Sequence, residues 1–146
     1  MSIDILFITP NSSKKVYQDL SKDYSAIEPP TWSLLLAQSC RAKNYKVNIL
    51  DSNAERLDDE ESFNRIKNLN PRLICFVVYG QNVNAGTTNM VGAIQLANYI
   101  KKNNYSSPII FIGSHIQALP LKTLNEEPSI DIVCTNEGVY SLHNIL

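Results

Sequence analysis

Four short apolar runs recur along the chain: "IDILFI" at 3–8, "LICFVV" at 73–78, "IIFI" at 109–112 and "IDIV" at 130–133. A fifth, "KVNIL" at 46–50, alternates apolar and polar positions. Continuous apolar runs of this length predict strands buried on both faces, as in a parallel sheet covered by helices. Helical patterns fall between them. Residues 31–44 follow Pro29-Pro30, and proline suits a helix start. Residues 59–69 place Phe63, Ile66 and Leu69 three apart. Residues 88–103 place Met90, Ala93, Ile94, Ala97 and Ile100 on one helical stripe, which is core material. A shorter helix is expected over 120–126, and another from about Gly138. Strand and helix thus alternate five times. This predicts an α/β fold of the flavodoxin-like (Rossmann-like) kind: a five-stranded parallel sheet in order 2-1-3-4-5, with right-handed crossovers and helices on both faces.

One segment breaks the rhythm. Residues 9–30, "TPNSSKKVYQDLSKDYSAIEPP", separate the first strand from its helix. Connections in such folds are short, and long ones tend to be functional. Trp32, just beyond, is expected to pack into the core at the helix start. The last helix has only one or two turns before Leu146. The 146 residues are therefore read as a single domain that is the front part of a longer protein.

Composition removes several classes. Thirteen basic residues face fourteen acidic ones, with no basic stripe, so no nucleic-acid partner is expected. No apolar run reaches membrane-spanning length, and no membrane partner is expected. The start "MSIDILFITP" lacks a basic n-region and holds Asp4 within its apolar run, which points to the cytoplasm. The three cysteines are scattered, with no CxxC pair and no Cys/His cluster at metal-ligand spacing. Cys75 and Cys134 lie inside strand runs and are read as core. Asp58–Glu61 reads as a solvated helix start favoured by the helix dipole.

In open α/β sheets, ligands bind beyond the carboxyl ends of the strands. Those ends carry Thr9-Pro10-Asn11-Ser12, Asp51-Ser52-Asn53, Tyr79-Gly80-Gln81-Asn82, Gly113-Ser114-His115 and Asn136-Glu137-Gly138. This rim of amides, hydroxyls and small residues suits a polar ligand, with close backbone approach at Gly80 and Gly113. No GxGxxG follows the first strand, no P-loop is present, and Tyr79 stands where a receiver domain needs an aspartate. No GxSxG elbow occurs, and no catalytic residue is assigned.

"IEPPTWSLLLAQSCRAKNYKVNILD" (27–51) and "IIFIGSHIQALPLKTLNEEPSIDIVCTNEG" (109–138) resemble the cobalamin-binding domain of cobalamin-dependent radical S-adenosylmethionine enzymes. The features that carry the resemblance are the Pro-Pro before a helix, the hydrophobic run ending in Asp, the turn Gly113-Ser114-His115 where the family has "GG-x-H", and Asn136-Glu137-Gly138 where it has "G-E-G". The resemblance spans residues 3–146. It implies a cobalamin-binding module whose cobalt cofactor is held without a histidine lower ligand. Gly113, Ser114 and His115 would edge the site of the nucleotide tail, with Glu137 and Gly138 nearby. It also implies a partner, a radical S-adenosylmethionine domain in cis or in trans. The iron–sulfur cluster would belong to that domain, because this chain has no CxxxCxxC cluster. Three positions depart from the family pattern: Val77 stands for a common serine, Ser114 for a glycine and Val139 for an acidic residue. On this reading Gly113→Val should harm ligand binding more than folding. A second function stays open: a stand-alone adaptor, or a degenerate domain of the same fold, that docks a partner without cobalamin. A flavin or nucleotide binder is a third.

Overall fold

A computed structural model describes residues 2–21, 27–80 and 83–146. Its centre is a five-stranded sheet, all parallel, in the order β2-β1-β3-β4-β5. The strands are β1 (Ile3–Thr9), β2 (Val47–Asp51), β3 (Pro71–Val77), β4 (Ile109–Ile112) and β5 (Ile132–Cys134). The helices are α1 (Ser13–Tyr17), α2 (Thr31–Arg41), α3 (Asp59–Leu69), α4 (Val83–Lys102), α5 (Ser114–Ala118), α6 (Pro120–Glu126) and α7 (Val139–Ile145).

The strand period of two splits the core into two layers. Leu6, Ile8, Ile74, Phe76, Ile109 and Phe111 meet α3 and α4 through Phe63, Ile66, Met90, Ala93 and Ala97. Ile5, Phe7, Leu73, Cys75, Val77, Ile110 and Ile112 meet α2 and α7 through Leu36, Ala37, Cys40 and Leu142. β1, β3 and β4 are thus covered on both faces, which is why they read as unbroken apolar runs. Edge strand β2 is less buried, and its sequence alternates. The three cysteines are buried and free, and burial pushes the Cys40 thiol up to about 11.

Several boundaries move from the sequence expectation. β5 starts two residues later, because Ile130 is taken by the turn below the sheet, where its N–H donates to the Glu127 carbonyl. α4 begins at Val83 rather than at residue 88. Its first turns hold the weak helix formers Asn84, Gly86 and Thr87 and no apolar stripe. The segment 9–30 is not a plain loop either: α1 and a 3-10 turn at Gln18–Leu20 lie within it. Ser12 ties its start to α4, accepting a hydrogen bond from the Gly92 N–H (3.0 Å) and donating to the Asn89 carbonyl (3.2 Å).

The acidic run at 58–61 starts α3 with a capping box. Asp58 accepts from the Glu61 N–H, and the Glu61 carboxylate accepts from the Asp58 N–H. Asp58→Ala leaves one of these backbone donors to solvent and should cost about 1 kcal/mol in urea unfolding. Asp58→Asn should cost less, because an amide oxygen still caps.

Candidate functional site

The chain leaves β1 toward β2 on one side and β3 toward β4 on the other, so the crevice between these strand ends is the switch point of the sheet. A cleft of ≈ 260 Å³ opens there. β1 delivers Thr9, Pro10 and Ser12 to it, β3 delivers Val77, Tyr79 and Gly80, and α4 contributes Thr88 and Asn89. The long segment after β1 forms the outer wall with Val16, Tyr17, Pro29 and Pro30, and the first turn of α2 adds Trp32 and Ser33.

The wall is braced. Thr9 Oγ1 and Ser33 Oγ share a hydrogen bond of 3.2 Å. The Trp32 and Tyr79 rings stack with centroids 4.5 Å apart and 26° between their planes. The Tyr79 carbonyl accepts from Asn89 Nδ2 (3.1 Å), and its phenol oxygen accepts from Gln117 Nε2 (3.1 Å). Burial raises the Tyr79 pKa, and the negative charge of Glu137 adds to it, so the ring stays a neutral phenol. Tyr79 therefore links the cleft to the ends of β4 and β5.

Of the residues singled out in the sequence, Pro10, Ser12, Tyr79 and Gly80 line this cleft. Asn11 serves the backbone instead: Oδ1 accepts from the Ser13 N–H, and Nδ2 donates to the Leu57 carbonyl. Gln81 and Asn82 lie outside the described residues. Gly113, Ser114, His115, Glu137 and Gly138 are not in the lining. Gly138 holds φ +88° before α7, and its N–H donates to Asn136 Oδ1 (2.8 Å). Glu137 is exposed beside it. Ser114 Oγ is buried without a hydrogen-bond partner. His115 Nδ1 lies 3.3 Å from Thr87 Oγ1, and its ring borders a separate groove of ≈ 210 Å³ with Met90, Val91, Leu119 and Lys122. His143 Nε2 pairs with Ser39 Oγ at 3.0 Å, joining α7 to α2.

Two sequence expectations need correction. Trp32 is not a core residue: it is 39% exposed and forms a wall of the cleft. The close approach at Gly80 and Gly113 is made by the protein itself. A β-carbon on Gly80 would strike Ala85, and one on Gly113 would strike the Val78 carbonyl oxygen, with Val78 Cγ2 at 2.8 Å. Asn53, named at the rim, also lines the cleft; sequence reasoning took Pro29 only as a helix start and passed over Ser33 and Asn89. Pro-Pro-Thr-Trp after a long strand-end segment was the available signal, since a tryptophan in the first turn of such a helix sits at the ligand edge of the sheet.

These features define an open α/β domain with a partly aromatic cleft at its switch point. Residues 20–146 match the family model of the B12 binding domain, and the chain belongs to that family. Two solved structures of TsrM, a radical S-adenosylmethionine methyltransferase from Kitasatospora setae, share the fold. The structure with tryptophan substrate and the analogue aza-SAM has a TM-score of 0.68 and 14% identity, over 97% of this chain and 24% of that one. The structure with cobalamin and a [4Fe-4S] cluster has a TM-score of 0.61 and 16% identity, over 88% of this chain and 21% of that one. The present chain thus spans less than a quarter of the length of either. No curated protein sequence matches it.

The cofactor of the family, cobalamin, is a corrin macrocycle with amide side chains and a nucleotide tail. At ≈ 260 Å³ the cleft is smaller than the roughly 300–1,000 Å³ of sites that engulf a whole small ligand. It has room for one part of such a cofactor. The lining suits such a part. Hydroxyls and amides of Thr9, Ser12, Asn53, Thr88 and Asn89 alternate with the apolar surfaces of Trp32, Tyr79 and the prolines. Among the described residues lining the cleft, none carries a positive charge.

Proposed function

We propose that this chain is the cobalamin-binding module of a radical S-adenosylmethionine methyltransferase-like enzyme, holding the cofactor at the carboxyl edge of its sheet with no histidine beneath the cobalt. When bound, cobalamin supplies methyl-group transfer at cobalt. The chain supplies shape and hydrogen bonds. Its cleft, free of cations among the described residues, offers donors and acceptors to amides, and its sheet is covered on both faces. The observation that carries the reading is membership of the family combined with the switch-point cleft. The absent lower ligand is supported by the histidines: the sequence has two, and neither lines the cleft.

The rest of the enzyme is proposed by the same reading: a radical S-adenosylmethionine domain in cis or in trans, which holds the iron–sulfur cluster. Its coding sequence, in the same frame or in a neighbouring one, should contain a CxxxCxxC cluster. A cytoplasmic location accords with this chemistry.

A second reading, a docking domain of the same fold that holds no cobalamin, draws on the outer faces of α2 and α7. There Leu34, Leu35 and Tyr140 are 50%, 58% and 81% exposed. Equilibrium dialysis against hydroxocobalamin separates the two. Retention of one equivalent per chain is expected, and no retention would favour the docking domain.

A further inference from the structure

We propose that Trp32 makes the chain selective for corrinoids that carry a planar nucleotide base, its indole forming the stacking wall against which that base is held. The inference rests on the cobalamin reading and goes beyond it, because it assigns the discrimination to one side chain.

The first support is exposure. Trp32 keeps 39% of its surface exposed, and that surface lies at the cleft mouth, where it meets whatever enters the cleft. The second is mounting. Pro29 and Pro30 restrict the backbone ahead of α2. The next residue, Ser33, is 1% exposed and bonded to Thr9, while Leu36 and Ala37 anchor the helix on the sheet. The third is backing. Tyr79 stacks beneath the indole and is itself held by Asn89 and Gln117. An aromatic surface fixed in this way loses little freedom when a flat ring settles on it. The fourth is charge. Among the described residues the lining carries no cation and one carboxylate, Glu28, so it holds nothing that would pair with a phosphate in place of the base, and ring-on-ring stacking tolerates any such base because each has a flat face.

Three probes test the assignment: hydroxocobalamin, cobinamide (the corrin without its nucleotide) and the free riboside of 5,6-dimethylbenzimidazole. Trp32 is the single tryptophan, so its fluorescence reports the riboside directly. The chain should bind the riboside with saturable quenching. Trp32→Ala should weaken hydroxocobalamin about tenfold, which corresponds to about 1.4 kcal/mol, and leave cobinamide within about twofold. Trp32→Phe, which keeps a ring, should recover most of the loss. Circular dichroism melts of both variants show whether each is folded before binding is read. An equal loss for both corrinoids, or no loss for either, would overturn the selectivity while leaving the cobalamin reading in place. If the unaltered chain binds neither corrinoid, the cobalamin reading falls. Saturable quenching by the riboside would then still uphold the stacking site, and its absence would remove that too.

Discussion

Gly113→Val should lower the stability of the chain by about 3 kcal/mol, with a fall in Tm of roughly 6–12 °C for a domain of this size. The backbone of Gly113 is extended, at φ 164° and ψ 172°, so any residue can adopt it. The obstacle is steric. A β-carbon would be driven into the Val78 carbonyl oxygen, with the carbonyl carbon and Cγ2 of Val78 each at 2.8 Å. Val78 is wholly buried, and its N–H donates to the Ile112 carbonyl at 2.8 Å. The β3 and β4 ends would have to separate to admit the side chain. The sequence alone led to a different expectation, that ligand binding would suffer more than folding. Gly113→Ala should share the sign, because the collision arises at the first side-chain atom. Urea unfolding of both variants decides the matter, and unchanged midpoints would return Gly113 to the ligand.

Phe111→Ala should cost about 3–5 kcal/mol. The ring is wholly buried on β4, in register with Phe76 on β3, and the two centroids lie 4.8 Å apart. Removing it deletes an aromatic contact and leaves a hole that the sheet cannot close, because the neighbouring strands are fixed by their ladders. A domain of this kind has about 5–15 kcal/mol in total, so much of the margin would go. Phe111→Leu should keep most of it, and chemical denaturation of the pair measures the difference.

The central strands were legible because burial on both faces leaves few polar positions, although β3 starts at Pro71, two residues before its apolar run, and β5 two residues late. Ile109–Ile112 is wholly buried and was read residue for residue. Strand order followed from the alternation with helices. α5 was hidden because Gly-Ser-His looks like a rim loop, although Ser114 already begins a helical turn. The site was legible as a set of strand ends and not as a set of side chains. Ser12 and Asn11 are adjacent and both polar, yet one lines the cleft and the other turns to hold the Leu57 carbonyl. His115 is placed by how α5 packs on α4, which no local pattern encodes. Trp32 was misread because an aromatic in a first helical turn has the same sequence signature whether it packs inward or walls a cleft.

Electron paramagnetic resonance of cob(II)alamin loaded onto the chain tests the central claim most directly. With both histidines away from the switch-point cleft, the cobalt lines should carry no splitting from a histidine nitrogen, so His115→Ala and His143→Ala should leave them unchanged. Nitrogen splitting that disappears in either variant would place a histidine beneath the cobalt and contradict the account.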